Sequence, residues 1–335
     1  MTVQMDQVTK YWIETIGVDG FRVDAAKHLI EEGDVLMNTE ATHAWFRDFY
    51  TFYKDIDPLT YVVGEVAGDD ARLASTYTGD QFDQVFNFEM ASGVVNSVKG
   101  GSISSLKSAV TFTMQDMPSW DFGTFLTNHD QDRVMSVLGG DVDKAKLAAF
   151  ILLTSPGTPY IYYGEEIGMT GRKPDENIRR PMQWSAGANG GFSSADPWEA
   201  LDPAHTGVNV ADQQGAPDSL LTTYQNLIAL RSSRPIFSTG AYIPVKASGS
   251  GVYAFIRKDD LETLLIVVNL SKAAISDFTL EAENVGLNNG TYAVSDIIAG
   301  TTAADLTIEN ASFTAYQPLA ELSDSTGYIF EIVKR

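Results

Sequence analysis

Apolar residues recur with two different periods along the first 170 residues, and each period predicts a different element. Met5, Val8 and Trp12 lie at helical spacing between polar residues, which predicts an amphipathic helix over 3–16 that ends at Gly17. Because further helical segments alternate with short apolar runs, the pattern predicts parallel β–α units. The predicted helices are 38–56, 102–115 and 141–153, and the predicted strands lie within 20–26, 61–66, 84–90, 123–130 and 158–169.

The pattern of apolar and polar residues changes after residue 170. Residues 170–216 are rich in Gly, Asp, Pro and Asn with embedded aromatic residues, and a loop of this length is usually functional or disordered. A helix is predicted over 217–233. After residue 240, short strands separated by turn residues predict an all-β sandwich. We therefore predict two domains, 1–238 and 239–335.

Charged residues interrupt three of the predicted strands near their carboxyl ends. Successive side chains of a strand point to opposite faces, so Arg22 and Asp24 share a face. Glu65 ends a second strand, and His129 and Asp130 lie where another gives way to a loop. One such acid is usually a structural carboxylate, but three at one end of a sheet are costly without a function. In a parallel β/α barrel that end carries the active site.

Two close carboxylates and a third acid suit the cleavage of a glycosidic bond. One carboxylate attacks the sugar carbon while the other protonates the leaving oxygen, and in the retaining geometry the two lie about 5–5.5 Å apart. One must be ionised and the other protonated. Arg22 would favour a charged Asp24, whereas Glu65, flanked by valines, is the candidate proton donor.

Composition and short motifs exclude several classes of partner and of enzyme. The 335 residues carry a formal net charge of −21, which argues against nucleic acid and anionic membranes as partners. The chain has no cysteine, and its histidines lack the H-x-x-x-H spacing of a metal hydrolase. No G-x-S-x-G elbow of a serine hydrolase occurs. The first residues lack a signal-peptide pattern, and no apolar run reaches the ~18 residues of a membrane helix.

Several stretches, in this order, resemble the α-amylase family of glycoside hydrolases (family 13). GFRVDAAKH, GEV and FLTNHD are similar to three of the family's four sequence regions, and GTPYIYYGEEIGM resembles its eighth strand and following loop. RRPMQWS is similar to a segment of the α-glucosidase-like and oligo-glucosidase-like members, and LLIVVNLS resembles the C-terminal β domain. The resemblance implies an α/β fold with strands 4–8 of a (β/α)8 TIM barrel, followed by a C-terminal β-sandwich.

The resemblance also implies a role for each matching residue. Asp24 would be the nucleophile, Glu65 the general acid/base, and Asp130 the residue that holds sugar hydroxyls in the distorted transition state. Arg22 would orient Asp24, and His129 would contact the sugar beside Asp130.

Further residues are predicted to contact the substrate. Lys27 and His28 match positions that line the leaving-group side in amylases, although ordinary helix-start residues are an equal interpretation. Trp184 could stack on a sugar ring or pack in the core, and Arg133 is expected in the site wall, in contact with substrate or as a salt-bridge partner. The small residue Ala25 after the nucleophile favours α-1,4 over α-1,6 linkages.

The family's first region and its barrel strands 1–3 are absent, so the resemblance implies an N-terminally truncated chain. A second polypeptide could complete the barrel, two copies could exchange elements, or the chain could be an inactive carbohydrate-binding fragment. The chemistry requires no cofactor. Many members bind a structural calcium ion through an Asn of the absent region, so we predict no metal ligand here.

The expected function is that of a retaining α-glycoside hydrolase acting on α-1,4-linked glucans or malto-oligosaccharides. A glucan transferase or isomerase of the same family is the alternative, because sequence does not decide whether water or a sugar resolves the intermediate. Oligomeric state and compartment stay open, and a starch-active function suggests an extracellular or cell-envelope location.

Overall fold

The computed structural model describes residues 2–68, 70–117 and 120–335, which form two compact units. The first unit comprises Met1–Ala91 and Ala109–Phe125, and the second comprises Ser92–Ser108 and Leu126–Arg335. The predicted domain boundary at residue 238 lies inside the second unit and stays a prediction.

Four parallel strands build the sheet of the first unit, in the order β1-β2-β3-β4. In this register Val23 lies opposite Gly64, so the residues that follow β1 and β2 emerge side by side. The core beneath includes Phe46, Tyr53 and Phe82, all buried. The strands are β1 (Gly20–Val23), β2 (Tyr61–Gly64), β3 (Gln84–Phe86) and β4 (Phe122–Thr124).

The first two predicted helices are confirmed. α1 (Thr2–Tyr11) continues into a π-helical segment, Trp12–Ile16, and ends at Gly17, whose positive φ of 79° suits a residue without a Cβ atom. α2 (Glu40–Ile56) begins after Thr39, which caps it by accepting a hydrogen bond from the Thr42 N–H at 3.1 Å.

Three predicted strands are shorter than expected. The apolar run over 84–90 is a strand only as far as Phe86, because the Asn87 side chain accepts a hydrogen bond from the Met90 N–H at 2.8 Å and starts a helix. β4 ends at Thr124 rather than near 130, and β5 is only Thr158–Pro159. The helices around these strands are α3 (Ala71–Ser75), α4 (Phe88–Gly100) and α5 (Ser104–Asp116).

Helices α7 (Val142–Thr154) and α10 (Leu220–Ser233) confirm two further predictions, and both lie in the second unit. α7 is buried along nearly its whole length. The chain between them contains β5 and several short helical segments. These segments, together with the flanking short helices, are α6 (Val134–Val137), Glu165–Ile167, α8 (Asp175–Ile178), Ala188–Gly191, Pro203–Thr206, α9 (Val210–Gln213) and α11 (Ile236–Thr239).

Two arginines hold the carbonyl end of α7. Arg231 donates through Nη1 to the carbonyls of Leu153, in the last turn, and Ser155, and through Nη2 to that of Gly157. Arg257 donates to the Thr154 carbonyl at 3.2 Å and the Gly240 carbonyl at 2.9 Å. The negative end of the helix dipole favours a cation there. Burial lowers the pKa of Arg231 to about 10 and that of Arg257 to about 9, so both stay charged at neutral pH.

Short strands fill the predicted all-β region and are linked into one nine-stranded antiparallel sheet that curls around a shared core, while the predicted sandwich arrangement stays a prediction. The order is β11-β10-β14-β8-β7-β6-β9-β13, with β12 on β10. Gly327 in β14 lies so close to Phe150 of α7 that an added Cβ atom would come within 2.5 Å of the ring. The strands are β6 (Ala241–Ala247), β7 (Val252–Lys258), β8 (Thr263–Asn269), β9 (Leu280–Ala282), β10 (Gly290–Asp296), β11 (Thr301–Thr302), β12 (Leu306–Ile308), β13 (Phe313–Tyr316) and β14 (Thr326–Lys334).

Across the described ranges, no helix has both the length and the apolar character needed to cross a bilayer.

Candidate active site

The carboxyl ends of β1 and β2 bring Asp24 and Glu65 together. Backbone hydrogen bonds continue past the strands: the Glu65 N–H donates to the Val23 carbonyl at 2.9 Å, and the Ala26 N–H donates to the Glu65 carbonyl at 2.9 Å. The segment after β1 is thereby fixed against the segment after β2. This is the end of a parallel sheet at which functional groups are expected.

Arg22 connects the two carboxylates. Its Nη1 is hydrogen-bonded to Oδ1 of Asp24, and its Nη2 lies 3.2 Å from Oε2 of Glu65. The Ala25 N–H donates to the same Oε2 at 2.8 Å. The Asp24 side chain is 76% exposed and that of Glu65 only 11%. One carboxylate is therefore open to solvent while the other is enclosed and held by two donors.

Ala25 lies in the left-handed region, with φ 44° and ψ 42°. This conformation costs a residue with a Cβ atom about 1–2 kcal/mol. It turns the chain sharply after Asp24, which directs the Ala25 N–H toward Glu65. Backbone strain of this kind is common where a site fixes a geometry.

Lys27 and His28 occupy a 3₁₀ turn, Ala26–His28, directly after this bend. Lys27 is buried, and its Nζ donates to the Ala67 carbonyl at 2.6 Å, which ties the turn to the loop after β2. The exposed His28 side chain lies 3.4 Å, through Nδ1, from the Leu36 carbonyl. Lys27 thus has a visible structural contact, and the predicted substrate contacts of both residues stay predictions.

Asp130 and His129 belong to the second unit and are held by an arginine that the sequence analysis did not single out. Arg179 Nη2 lies 2.7 Å from Oδ1 of Asp130, and its Nε donates to the His129 carbonyl at 2.9 Å. His129 Nε2 lies 3.2 Å from Oδ2 of Asp130. Arg179 is in the RRPMQWS segment, so the resemblance offered a signal, but nothing in the sequence alone paired it with Asp130.

Arg133 lies beneath the surface, with its side chain only 1% exposed. Its Nη1 donates to the Tyr163 carbonyl at 2.7 Å, and the guanidinium stacks on the rings of Tyr162 and Tyr163 at 4.6 and 4.7 Å. A residue so enclosed contacts Tyr163 from the protein interior. This position suits a positioning role better than the predicted contact with substrate.

Trp184 is half-exposed and lines a pocket of about 400 Å³ in the second unit. Of the two interpretations weighed for this residue, the exposure fits a binding surface better than the core.

Glu165 is a buried acid that follows β5. Tyr224 donates a hydrogen bond to its Oε1 at 2.9 Å, and Oε2 has no hydrogen-bond partner. Burial raises the pKa of Glu165 to about 8, and burial also raises the pKa of the neighbouring Glu166. Glu165 is therefore largely protonated near neutral pH.

Within residues 2–68, 70–117 and 120–335, no three His, Asp or Glu side chains are grouped so that they could hold a metal ion. The expectation that no metal ligand is present stays a prediction.

The fold and the site define a β/α protein whose carboxylates follow the strands of a parallel sheet. The chain belongs to the α-amylase family: residues 1–240 match the family model described as the alpha amylase catalytic domain. The resemblance seen in the sequence is thereby confirmed.

Two relatives and one crystal structure illustrate the likeness. Alpha-amylase 3 of Dictyoglomus thermophilum is 33% identical over 273 residues, covering 80% of this chain and 53% of that protein. Oligo-1,6-glucosidase of Bacillus cereus is 28% identical over 330 residues, covering 79% and 59%. The crystal structure of alpha-amylase from H. orenii superposes with a TM-score of 0.75 and 30% identity, covering 99% of this chain and 64% of that one. The chain thus spans between half and two thirds of the length of these proteins.

Proposed function

We propose that this chain carries the catalytic carboxylates of a retaining α-glycoside hydrolase that acts on α-1,4-linked glucans or malto-oligosaccharides. The observation that carries the proposal is the arrangement of Asp24 and Glu65, one exposed and one enclosed, on a shared Arg22. Retaining hydrolysis needs two neighbouring carboxyl groups with different roles. Membership of the α-amylase family supports the substrate class.

Asp24 is the proposed nucleophile. Arg22 binds Oδ1, which orients the carboxylate, while the Asp24 side chain stays largely exposed to solvent. Attack of an oxygen on the anomeric carbon would form a covalent glycosyl ester as the glycosidic bond breaks.

Glu65 is the proposed general acid and base. The Ala25 N–H and Arg22 both contact Oε2 of Glu65. Because this oxygen accepts their hydrogen bonds, protonating it would weaken those contacts. The proton would therefore reside on Oε1 and pass to the leaving glycosidic oxygen. In the second step the same oxygen would take a proton from the water that attacks the ester.

Asp130, with Arg179 and His129 beside it, is proposed to hold hydroxyl groups of the sugar. The ion pair with Arg179 fixes the orientation of the carboxylate while the group stays half-exposed. Hydrogen bonds from such a carboxylate to sugar hydroxyls can strengthen as the ring distorts in the transition state. The preference for α-1,4 linkages rests on Ala25, and hydrolysis rather than transfer is part of the proposal.

The test is hydrolysis of a chromogenic malto-oligosaccharide by the purified chain, its Glu65→Gln variant and a Glu321→Gln control. Glu321 is exposed and lies in the β domain, so its variant has the same charge change outside the site. We expect turnover that falls by at least about a hundredfold in Glu65→Gln only, since general acid catalysis contributes about 10²–10⁴-fold. The solution mass of the same sample shows whether one chain or an assembly is active.

Product analysis separates hydrolysis from transfer, because a transferase would return longer oligosaccharides instead of free reducing sugar. Turnover that is equal in all three proteins would contradict the assigned role of Glu65. A folded chain that is inactive at every concentration tested would contradict the proposal for the isolated chain.

A further inference from the structure

Arg179, which binds Asp130, also binds a second carboxylate. Its Nη2 atom lies 2.7 Å from Oδ1 of Asp130 and 2.9 Å from Oδ2 of Asp175. A terminal guanidinium nitrogen carries two N–H groups, so one can point at each carboxylate. Neither the sequence pattern nor the family resemblance assigns a role to Asp175.

The backbone places Asp175 beside Arg179. α8 begins at Asp175, and the Arg179 N–H donates to the Asp175 carbonyl at 3.1 Å. Side chains four positions apart on a helix lie on the same face. The contact between the two side chains is therefore supported by one helical turn.

Arg179 is anchored on a third side by its Nε atom, which donates to the His129 carbonyl at 2.9 Å. A guanidinium group is planar, and the directions of its N–H groups are fixed relative to one another. Without Asp175, Arg179 and Asp130 could shift together as a pair. With Asp175 in place, the guanidinium is held from its own helix, and the position of Asp130 is set by it.

The segment that carries Asp175 is itself tied to the loop that carries Asp130. Asp132 accepts hydrogen bonds from the Lys173 N–H at 2.8 Å and from Nη1 of Arg172 at 3.0 Å. Lys173 Nζ pairs in turn with Asp175. The contacts thus form a closed ring of ion pairs, made of Asp130, Asp132, Asp175, Arg172, Lys173 and Arg179.

Asp175 is ionised in this ring, because the hydrogen bond from Lys173 lowers the pKa of its carboxyl group. The side chains of Asp175 and Arg179 are 45% and 38% exposed. Ion pairs this open to water contribute little to stability. The precise orientation of a group that binds substrate, in contrast, has a large effect on rate.

We propose that Asp175 is a positioning residue, which holds Arg179 so that the Asp130 carboxylate meets the sugar hydroxyls in one orientation. The inference rests on the proposed function and deepens it, because Asp175 would act on the sugar only through Arg179 and Asp130. Asp175 also shares the positive charge of Arg179, which leaves Asp130 a stronger acceptor for hydroxyl groups.

The test is steady-state hydrolysis of the nitrophenyl glycoside of maltotriose by the wild-type chain, Asp175→Asn, Asp175→Glu and a control, Asp277→Asn. Asp277 is exposed and lies outside the ring, so the control makes the same change of charge elsewhere. We expect Asp175→Asn to lower kcat at least about fivefold and to change KM less than about twofold, because the supported contact strengthens in the transition state. Asp175→Glu should recover part of kcat, and the control should match the wild type.

The Arg179→Ala background shows whether Asp175 acts through the arginine. There we expect Asp175→Asn to lower kcat no further, since the contact that it removes is already absent. Equal fold-losses of kcat in the two backgrounds would overturn the positioning role. Urea unfolding of each protein should give the same midpoint for Asp175→Asn and the wild type, and a loss of kcat matched by a lower midpoint would overturn it too.

The wild-type result separates this inference from the proposed function. Glu65-dependent turnover by the wild type, with unchanged kcat in Asp175→Asn, would overturn the inference and leave the proposed function intact. A folded wild-type chain without turnover would remove the proposed function, and the inference with it.

Discussion

The buried acid Glu165 makes the stability of the chain depend on pH, and Glu165→Gln should remove its contribution to that dependence. The side chain is fully enclosed, with Tyr224 donating to one oxygen and nothing bonded to the other. Glutamine keeps the size of the side chain and an oxygen that can accept from Tyr224, but it cannot ionise. The substitution therefore isolates the free-energy cost of ionising the buried Glu165 carboxyl group.

The sign follows from the two states of the protein. The pKa of Glu165 rises from 4.5 to about 8 when burial withdraws the carboxyl group from water. Between these values the unfolded chain has released the proton and the folded chain has kept it, so stability falls as pH rises through the window. Across the full interval, the free energy of unfolding falls by ~5 kcal/mol.

Urea unfolding of the wild type, Glu165→Gln and the Glu321→Gln control at pH 5, 6.5 and 8 measures the effect. We expect the advantage of Glu165→Gln over the wild type to grow by several kcal/mol from pH 5 to pH 8, while the control follows the wild type. Tyr224→Phe should steepen the wild-type slope, because Tyr224 donates a hydrogen bond that favours the charged form. Parallel curves for wild type and Glu165→Gln would refute the reasoning.

Three further predictions concern the backbone, the packing and the surface. Ala25→Gly should leave the unfolding midpoint unchanged or raise it, whereas Ala25→Val should lower stability by more than ~1 kcal/mol; equal effects would contradict the strain assigned to this position. Gly327→Ala should cost about 1–3 kcal/mol, and Phe150→Leu in the same chain should recover part of it, so additive free energies in a double-mutant cycle would contradict the contact. Within the described residues β1 pairs on one side only and Trp12 is exposed, so light scattering should detect self-association that Trp12→Lys reduces; a monomer at all concentrations would contradict this.

Alternation of side chains along strands was enough to predict part of the site. Arg22, in β1, and Asp24, directly after it, are hydrogen-bonded as a pair, as the predicted alternation places them. Glu65 directly follows β2, and the register of the two strands explains why it meets Arg22. These relations are local or are fixed by neighbouring strands, so the sequence pattern contains them.

Other parts of the site depend on information that the pattern does not contain. Arg179 reaches Asp130 from 49 residues along the chain, out of a loop without periodicity. The end of β3 was misjudged because one cap, Asn87, outweighed an apolar run that continues across the boundary. The left-handed conformation of Ala25 could not be foreseen either, since alanine rarely adopts it.

The arginines at the end of α7 bear on how proteins of this kind can be recombined. Arg257 is on a strand of the β domain, yet its hydrogen bonds end on Thr154 and Gly240, and Gly327 makes room for Phe150. A chimera joined near residue 238 would keep Arg231 but would lose the hydrogen bond from Arg257 to the Thr154 carbonyl, and any residue larger than glycine at position 327 would clash with the Phe150 ring. A functional exchange of the sheet would therefore have to transfer α7 with it.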